Sequence, residues 1–260
     1  MAEFKIGVAQ ISSVQGSINV NVQRHISVIK RAAEQGVTVL VFPELSLTGY
    51  ELALAKELAL TIDDARLEPL RALAVELNMH IVVGAPIKNS SVAVGNDLTS
   101  NSDSIYLGAI IFEATGGVSL YTKMHLHSTE QLYFKAGNSY TMLEIQGHRI
   151  AMAICADTNA PSHIQESVDD NATIYVAGVL FTPSGYLADT QKLADFAQQH
   201  NILVTMANYN RISGGLLAIG KSAAWGPKGL LACANERQDC LVISQQVSNN
   251  WVSQIIECNA

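Results

Sequence analysis

The sequence predicts an α/β fold with sheets packed together and helices outside. Three patterns carry that expectation. Short apolar runs rich in β-branched residues alternate with stretches of helical periodicity. Hairpin signals at Gly116-Gly117 and at Gly147 interrupt the alternation and argue against a simple doubly wound sheet. No repeat, linker or low-complexity stretch breaks the 260 residues, so a single domain over 1–260 is expected.

The elements follow in order. "FKIGVAQIS" reads as a strand. The helix after it carries Val22, Ile26, Ile29 and Ala33 on one face, capped by Asn19 or Asn21 and stopped near Gly36. "VTVLVFPE" is a near-continuous apolar run, as expected of a strand covered on both faces. Helices are expected within "ELALAKELAL" and "LEPLRALAVELN", then a strand, "HIVVGAPI". "SIYLGAIIFEATGGVSLYTKMHL" and "TMLEIQGHRIAMAIC" each read as a pair of strands turning at glycine. "ATIYVAGVLF" and "ILVTMANYN" are strands on either side of a helix within "YLADTQKLADFAQQH", and the tail to "WVSQIIE" is mostly β.

Composition narrows the functional classes. The chain is 48% hydrophobic with a formal net charge of −7. A chain of this size buries about 70–75% of its unfolded surface and needs no disulfide or metal to hold together. The four cysteines, Cys155, Cys233, Cys240 and Cys258, show no CxxC spacing and read as reduced thiols of a cytoplasmic protein. "MAEFKIGVAQIS" lacks the basic start and long apolar core of a signal peptide. No apolar run reaches the roughly 18 residues of a membrane span. An acidic chain without basic clusters is poorly suited to nucleic acid. A soluble cytoplasmic protein with neither membrane nor nucleic-acid partner is expected.

Three side chains share a placement that matters for chemistry. Glu44 ends "VTVLVFPE", Lys123 ends a run in "YTKMHL", and Cys155 ends "RIAMAIC". Taken singly, they read as a solvated loop acid, a surface cation and a buried structural thiol. Together they are a nucleophile, a base and an electrophile, the set that acyl transfer requires. A thiol with an ordinary pKa of about 8.5 needs such neighbours to attack. The backbone N–H of Ala156, just past the nucleophile, would be a second oxyanion donor beside Lys123.

Two other patterns compete. "GLLAIGKS", Gly215 to Ser222, fits the P-loop consensus letter for letter, but Gly226, Pro227 and Gly229 break the helix a P-loop must open. His125 and His127, with His163 or Cys233 and Cys240, are metal-ligand residue types without a complete set at credible spacing.

"FPELSLTGY", "YTKMHL" and "ICAD" resemble, in order, the Glu, Lys and Cys motifs of the nitrilase superfamily, the carbon–nitrogen hydrolases. "KIGVAQ", "EQLYFKAGN" and "MANYN" through "GKSAAWGPKG" extend the resemblance from about Lys5 to Gly229. It implies a four-layer α-β-β-α sandwich that pairs into a homodimer or higher oligomer through its outer helices. It also implies Glu44 as general base, Lys123 as oxyanion stabiliser, Cys155 as nucleophile and Glu130 as the additional glutamate that positions substrate and lysine, with no metal or organic cofactor. Tyr50, close behind the glutamate motif, is a pocket candidate, and so is Phe181 or Tyr186 in "VLFTPSGY", where the family shapes its acyl pocket, although packing is the commoner role of a single aromatic. "CAD" lacks the Trp-Glu that follows the cysteine of true nitrilases and looks more like the amide- and carbamoyl-cleaving branches. The following "TNAPSH" departs from the family, with Ser162 where an acid is often found. That departure is expected to bear on substrate preference, and it leaves room for a catalytically degenerate sandwich.

Overall fold

A computed structural model of the chain describes residues 3–88 and 104–258. Its first sheet has seven strands in the order β15 (Asn250–Glu257), β14 (Cys240–Val247), β1 (Lys5–Gln10), β2 (Val39–Val41), β3 (His80–Lys88), β4 (Ile105–Phe112) and β5 (Val118–Thr122). The second has six, β13 (Gly229–Cys233), β12 (Ala223–Gly226), β9 (Leu203–Asn208), β8 (Ile174–Val179), β7 (His148–Ile154) and β6 (Met142–Ile145). A ribbon of β10 (Ile212–Ser213) and β11 (Leu216–Leu217) stands apart. Parallel pairing joins β1, β2 and β3 in one sheet and β7, β8 and β9 in the other.

Period-two alternation builds the layers. Along β7, Ile150, Met152 and Ile154 join the core between the sheets, while Ala151 and Ala153 face the cluster under the helices. β8 repeats this, with Ile174 and Val176 inward and Tyr175 and Ala177 outward. In the first sheet Val39 and Val41 point into the same central core, and Leu40 packs with Ile29 and Leu70 of helices α1 (Ile18–Glu34) and α3 (Glu68–Glu76). The second sheet is covered by α4 (Pro161–Asp169) and α5 (Tyr186–His200) through Ile164, Leu193 and Ala197. The result is the expected α-β-β-α sandwich.

One local expectation is corrected, one helix is shorter than expected, and one helix is new. Ser17, not Asn19 or Asn21, stands at the N-cap of α1. Asn21 lies inside the helix and bonds Val14 N–H, Val14 C=O and Leu47 C=O at 2.7, 2.8 and 2.9 Å, which ties α1 to the loop after β2. "ELALAKELAL" yields only a 3-10 turn and one α-turn, α2 (Ala55–Leu58), because Leu60 pairs with Ile87 and draws the chain into an extended path. α4 has no counterpart among the expected elements. Pro161 in its first turn, with Ile164 and Val168 one turn apart, was the available signal.

Candidate active site

The three chemical side chains lie at the ends of strands from both sheets. Glu44 follows β2, Lys123 follows β5 directly, and Cys155 follows β7 directly. Lys123 Nζ donates to Glu44 Oε1 at 2.6 Å and to Glu130 Oε1 at 2.8 Å, and all three side chains are essentially inaccessible to solvent. A buried ammonium between two carboxylates leaves one surplus negative charge. That charge is met by Tyr50, which donates its hydroxyl to Glu130 Oε1 at 2.6 Å, and by the His127 N–H, 2.8 Å from Glu130 Oε2. Glu130 and Tyr50 thus join the cluster, where they hold the lysine.

The titration behaviour follows from burial and charge. Burial pushes the Glu44 carboxyl up to about 7, against the opposing pull of Lys123. Burial alone would lower Lys123, but Glu44, then Cys155 and Glu130, hold it above the usual lysine range. Burial and the Glu44 charge push Cys155 well above an ordinary thiol, with Lys123 and the Leu180 N–H opposing. The resting centre is therefore a neutral thiol beside a carboxyl that titrates near neutrality. Glu44 Oε2 is buried without a hydrogen-bond partner of good geometry, and hydrogen bonding from the Cys155 thiol pulls the same carboxyl down.

Backbone geometry fixes the two ends. Cys155 adopts φ +43°, a left-handed conformation unusual for a residue with a Cβ, and opens the 3-10 turn Cys155–Asn159. Ala156 follows in that first turn, where an N–H has no partner within the turn. The Glu44 segment passes between the sheets, against Gly84 of β3 on one side and Gly178 of β8 on the other. A Cβ built on Gly84 would meet Leu45 N at 2.3 Å, and one on Gly178 would meet Phe42 O at 2.7 Å. Tyr209 also donates its hydroxyl to the Glu44 carbonyl at 2.7 Å. Gly84→Ala is therefore expected to destabilise the protein by about 3 kcal/mol, since neither backbone can retreat without parting the layers. A urea midpoint matching wild type would refute that.

Phe181 is buried in the cluster shared with Tyr186 and α5, with its backbone N–H on Asn208 Oδ1 at 2.9 Å. "TNAPSH" does not form a simple polar rim: Thr158 and His163 are 1% exposed, and His163 is held between two tyrosines. Ser222 leads straight into β12, so the P-loop match has no helix behind it. His125 Nδ1 bonds Asp157 at 3.1 Å and His127 Nδ1 bonds Thr129 at 2.9 Å. Among the described residues, no group of three or more His, Cys, Asp or Glu side chains gathers into a metal-binding cluster. Sequence reasoning missed Asp157 itself, although a fully buried acid two residues past an apolar strand demands partners.

A sandwich that gathers a thiol, an ammonium and a carboxylate at its strand ends, with a second carboxylate from the following loop, has the make-up of a thiol hydrolase. The chain belongs to the carbon–nitrogen hydrolase family, whose model matches residues 5–255. It is 30% identical over 175 residues to the 2-oxoglutaramate amidase of Bacillus subtilis, covering 66% of this chain and 63% of that one. It is 23% identical to a probable nitrilase of Schizosaccharomyces pombe, covering 93% and 88% of the two. A match of 27% identity to a glutamine-dependent NAD(+) synthetase of Acinetobacter baylyi covers 60% of this chain but only 28% of that longer protein. Among solved structures, an amidase from Nesterenkonia sp. AN1, with the acetamide moiety of fluoroacetamide added at its active-site cysteine, superposes with a TM-score of 0.81. The identity is 20%, covering 94% of this chain and 91% of that one. No helix among the described residues is long and apolar enough to cross a membrane.

Proposed function

We propose that this enzyme cleaves the carbon–nitrogen bond of small amides or N-carbamoyl compounds through a thioester on Cys155. The observation that carries the reading is the buried ion cluster in which Lys123 Nζ lies 2.6 Å from Glu44 Oε1 and 2.8 Å from Glu130 Oε1, at the strand ends where Cys155 also begins. The thiol transfers its proton to Glu44 as Sγ attacks the carbonyl carbon, so no free thiolate has to be stored. Lys123 spends two of its three N–H bonds on Glu44 and Glu130, which leaves one for the developing oxyanion. The Ala156 N–H is the second donor. Glu44 then returns the proton to the departing nitrogen, and ammonia or an amine leaves. Water attacks the thioester, Glu44 takes its proton, and that proton returns to Sγ as the acid departs. Tyr50 and Glu130 keep the lysine oriented throughout.

The amidase relatives support an amide over a nitrile. The family resemblance supports a homodimer or higher oligomer, and the cysteine usage supports the cytoplasm. An ammonia-release screen over short aliphatic amides, ω-amides, N-carbamoyl compounds and nitriles tests the reading. Turnover of an amide or carbamoyl compound is expected, and turnover of nitriles alone, or of nothing, would overturn it. With Glu44 raised to about 7, activity rises with pH as the base loses its proton. Below about pH 7, kcat/KM should fall roughly tenfold per unit, and Glu44→Gln should leave only a small pH-independent residue of activity. The limb belongs to the coupled cluster, so Glu130→Gln should displace its midpoint.

A further inference from the structure

Behind the reacting groups runs a chain of buried side chains that the proposed mechanism does not use. Tyr175 Oη lies 2.9 Å from His163 Nδ1, His163 Nε2 lies 2.8 Å from Tyr121 Oη, and Tyr121 Oη lies 2.6 Å from Asp157 Oδ2. All four residues are 1% exposed or less. One proton arrangement satisfies every member. A carboxylate only accepts, so Tyr121 donates to Asp157. The Tyr121 oxygen then accepts from His163 Nε2–H, and the bare Nδ1 accepts from Tyr175. His163 is thus a neutral imidazole of one tautomer. Burial lowers its pKa to the same effect, with His125 adding to burial and Asp157 and Glu166 opposing it.

At the other end, Asp157 joins two separate segments. Its Oδ1 accepts from the N–H groups of Met124 and His125 at 3.2 and 2.8 Å, and from His125 Nδ1 at 3.1 Å. Its Oδ2 also accepts from the Ile154 N–H at 3.0 Å. Met124 and His125 directly follow Lys123, and Ile154 directly precedes Cys155. Those segments leave different sheets, so this carboxylate bridges the layers between the cation and the thiol.

We propose that His163 is a positioning residue that acts through Tyr121 to orient Asp157, and that Asp157 thereby sets the spacing of Lys123 and Cys155. Tyr175 has a defined part. By donating to Nδ1 it keeps the proton on Nε2. The other tautomer would accept from Tyr121 and take that proton away from Asp157. The proposal deepens the thiol chemistry above and rests on it.

The test begins with the wild-type protein. The rate of Cys155 alkylation by iodoacetamide, read by peptide mass spectrometry, is expected to exceed that of Cys233 and Cys258 and to rise through about pH 7. If it does not, the thiol chemistry fails, and this proposal with it. Given that result, Tyr121→Phe and His163→Leu are expected to slow both alkylation and kcat by roughly 10- to 100-fold, with KM changed by less than about twofold. His163→Gln, which keeps a donor toward Tyr121, should recover most of the loss. Folded variants that alkylate and turn over at the wild-type rate, or that raise KM alone, would overturn the positioning role. Where the leucine variant does not fold, two measurements remain. The 15N spectrum of the wild-type imidazole should show Nε2–H with a bare Nδ1 from about pH 5 to 8, and a cationic ring there overturns the proposal. Tyr175→Phe should populate the other tautomer and lower kcat, and an unchanged tautomer and kcat would also overturn it.

Discussion

Cys155→Ala is expected to give a folded protein whose kcat falls by at least about 10⁴-fold, the scale on which removing a covalent nucleophile acts. The side chain shortens by one sulfur, and the left-handed backbone at φ +43° is no less accessible to alanine than to cysteine. The melting temperature should therefore change little. Binding should survive, because Lys123, Glu130 and Tyr50 remain hydrogen-bonded to one another. Calorimetric titration with an amide that the wild type hydrolyses should give heat of binding without ammonia. Mass spectrometry after exposure to substrate should find an acyl adduct on the wild type and none on the variant. Turnover within about tenfold of wild type would remove Cys155 from the mechanism.

Lys123→Met should fail in a different way, by losing stability as well as activity. Methionine fills similar space, but Glu44 and Glu130 are left as two buried carboxylates facing one another without a cation. Breaking a buried ion pair by removing one partner costs about 3–5 kcal/mol. The sign of the pH dependence follows. Without the lysine, burial and the Glu130 charge hold the folded-state Glu44 carboxyl further above its unfolded value, unopposed by a cation. Stability is then fully present below the unfolded value and is lost as pH rises through the folded one. The deficit relative to wild type should be largest near pH 8 and shrink toward about pH 5. Urea midpoints at the two ends decide it, and a deficit that grows on acidification would contradict the account.

Much of this centre was legible in the sequence because each of the three side chains proposed to react ends an apolar run. Glu44, Lys123 and Cys155 announce strand termini, and the alternation in "RIAMAIC" already separates Ile150, Met152 and Ile154 from the alanines between them. The support behind them was not legible. Tyr121 and His163 are 42 residues apart, as are no two neighbours on one helix or hairpin, and nothing local marks them as partners. Tyr209, whose hydroxyl reaches a carbonyl 165 positions earlier, reads as ordinary core. α4 went unforeseen because polar residues dominate "PSHIQESVD", so its buried side, His163, Ile164 and Ser167, is only partly apolar. His163, at the end of "TNAPSH", faces inward and completes a polar chain, a role that nothing in its local pattern marks.

The threading of the Glu44 segment between Gly84 and Gly178 has a mechanical consequence. A carboxylate on a surface lid can swing away and return while the rest of the molecule stays intact. Here the segment is clasped by the two sheets it crosses, so its position is inherited from the gap between them. Nothing short of prising the layers apart can displace it, and new specificities would have to arise at the periphery, with the clasped segment left as it is.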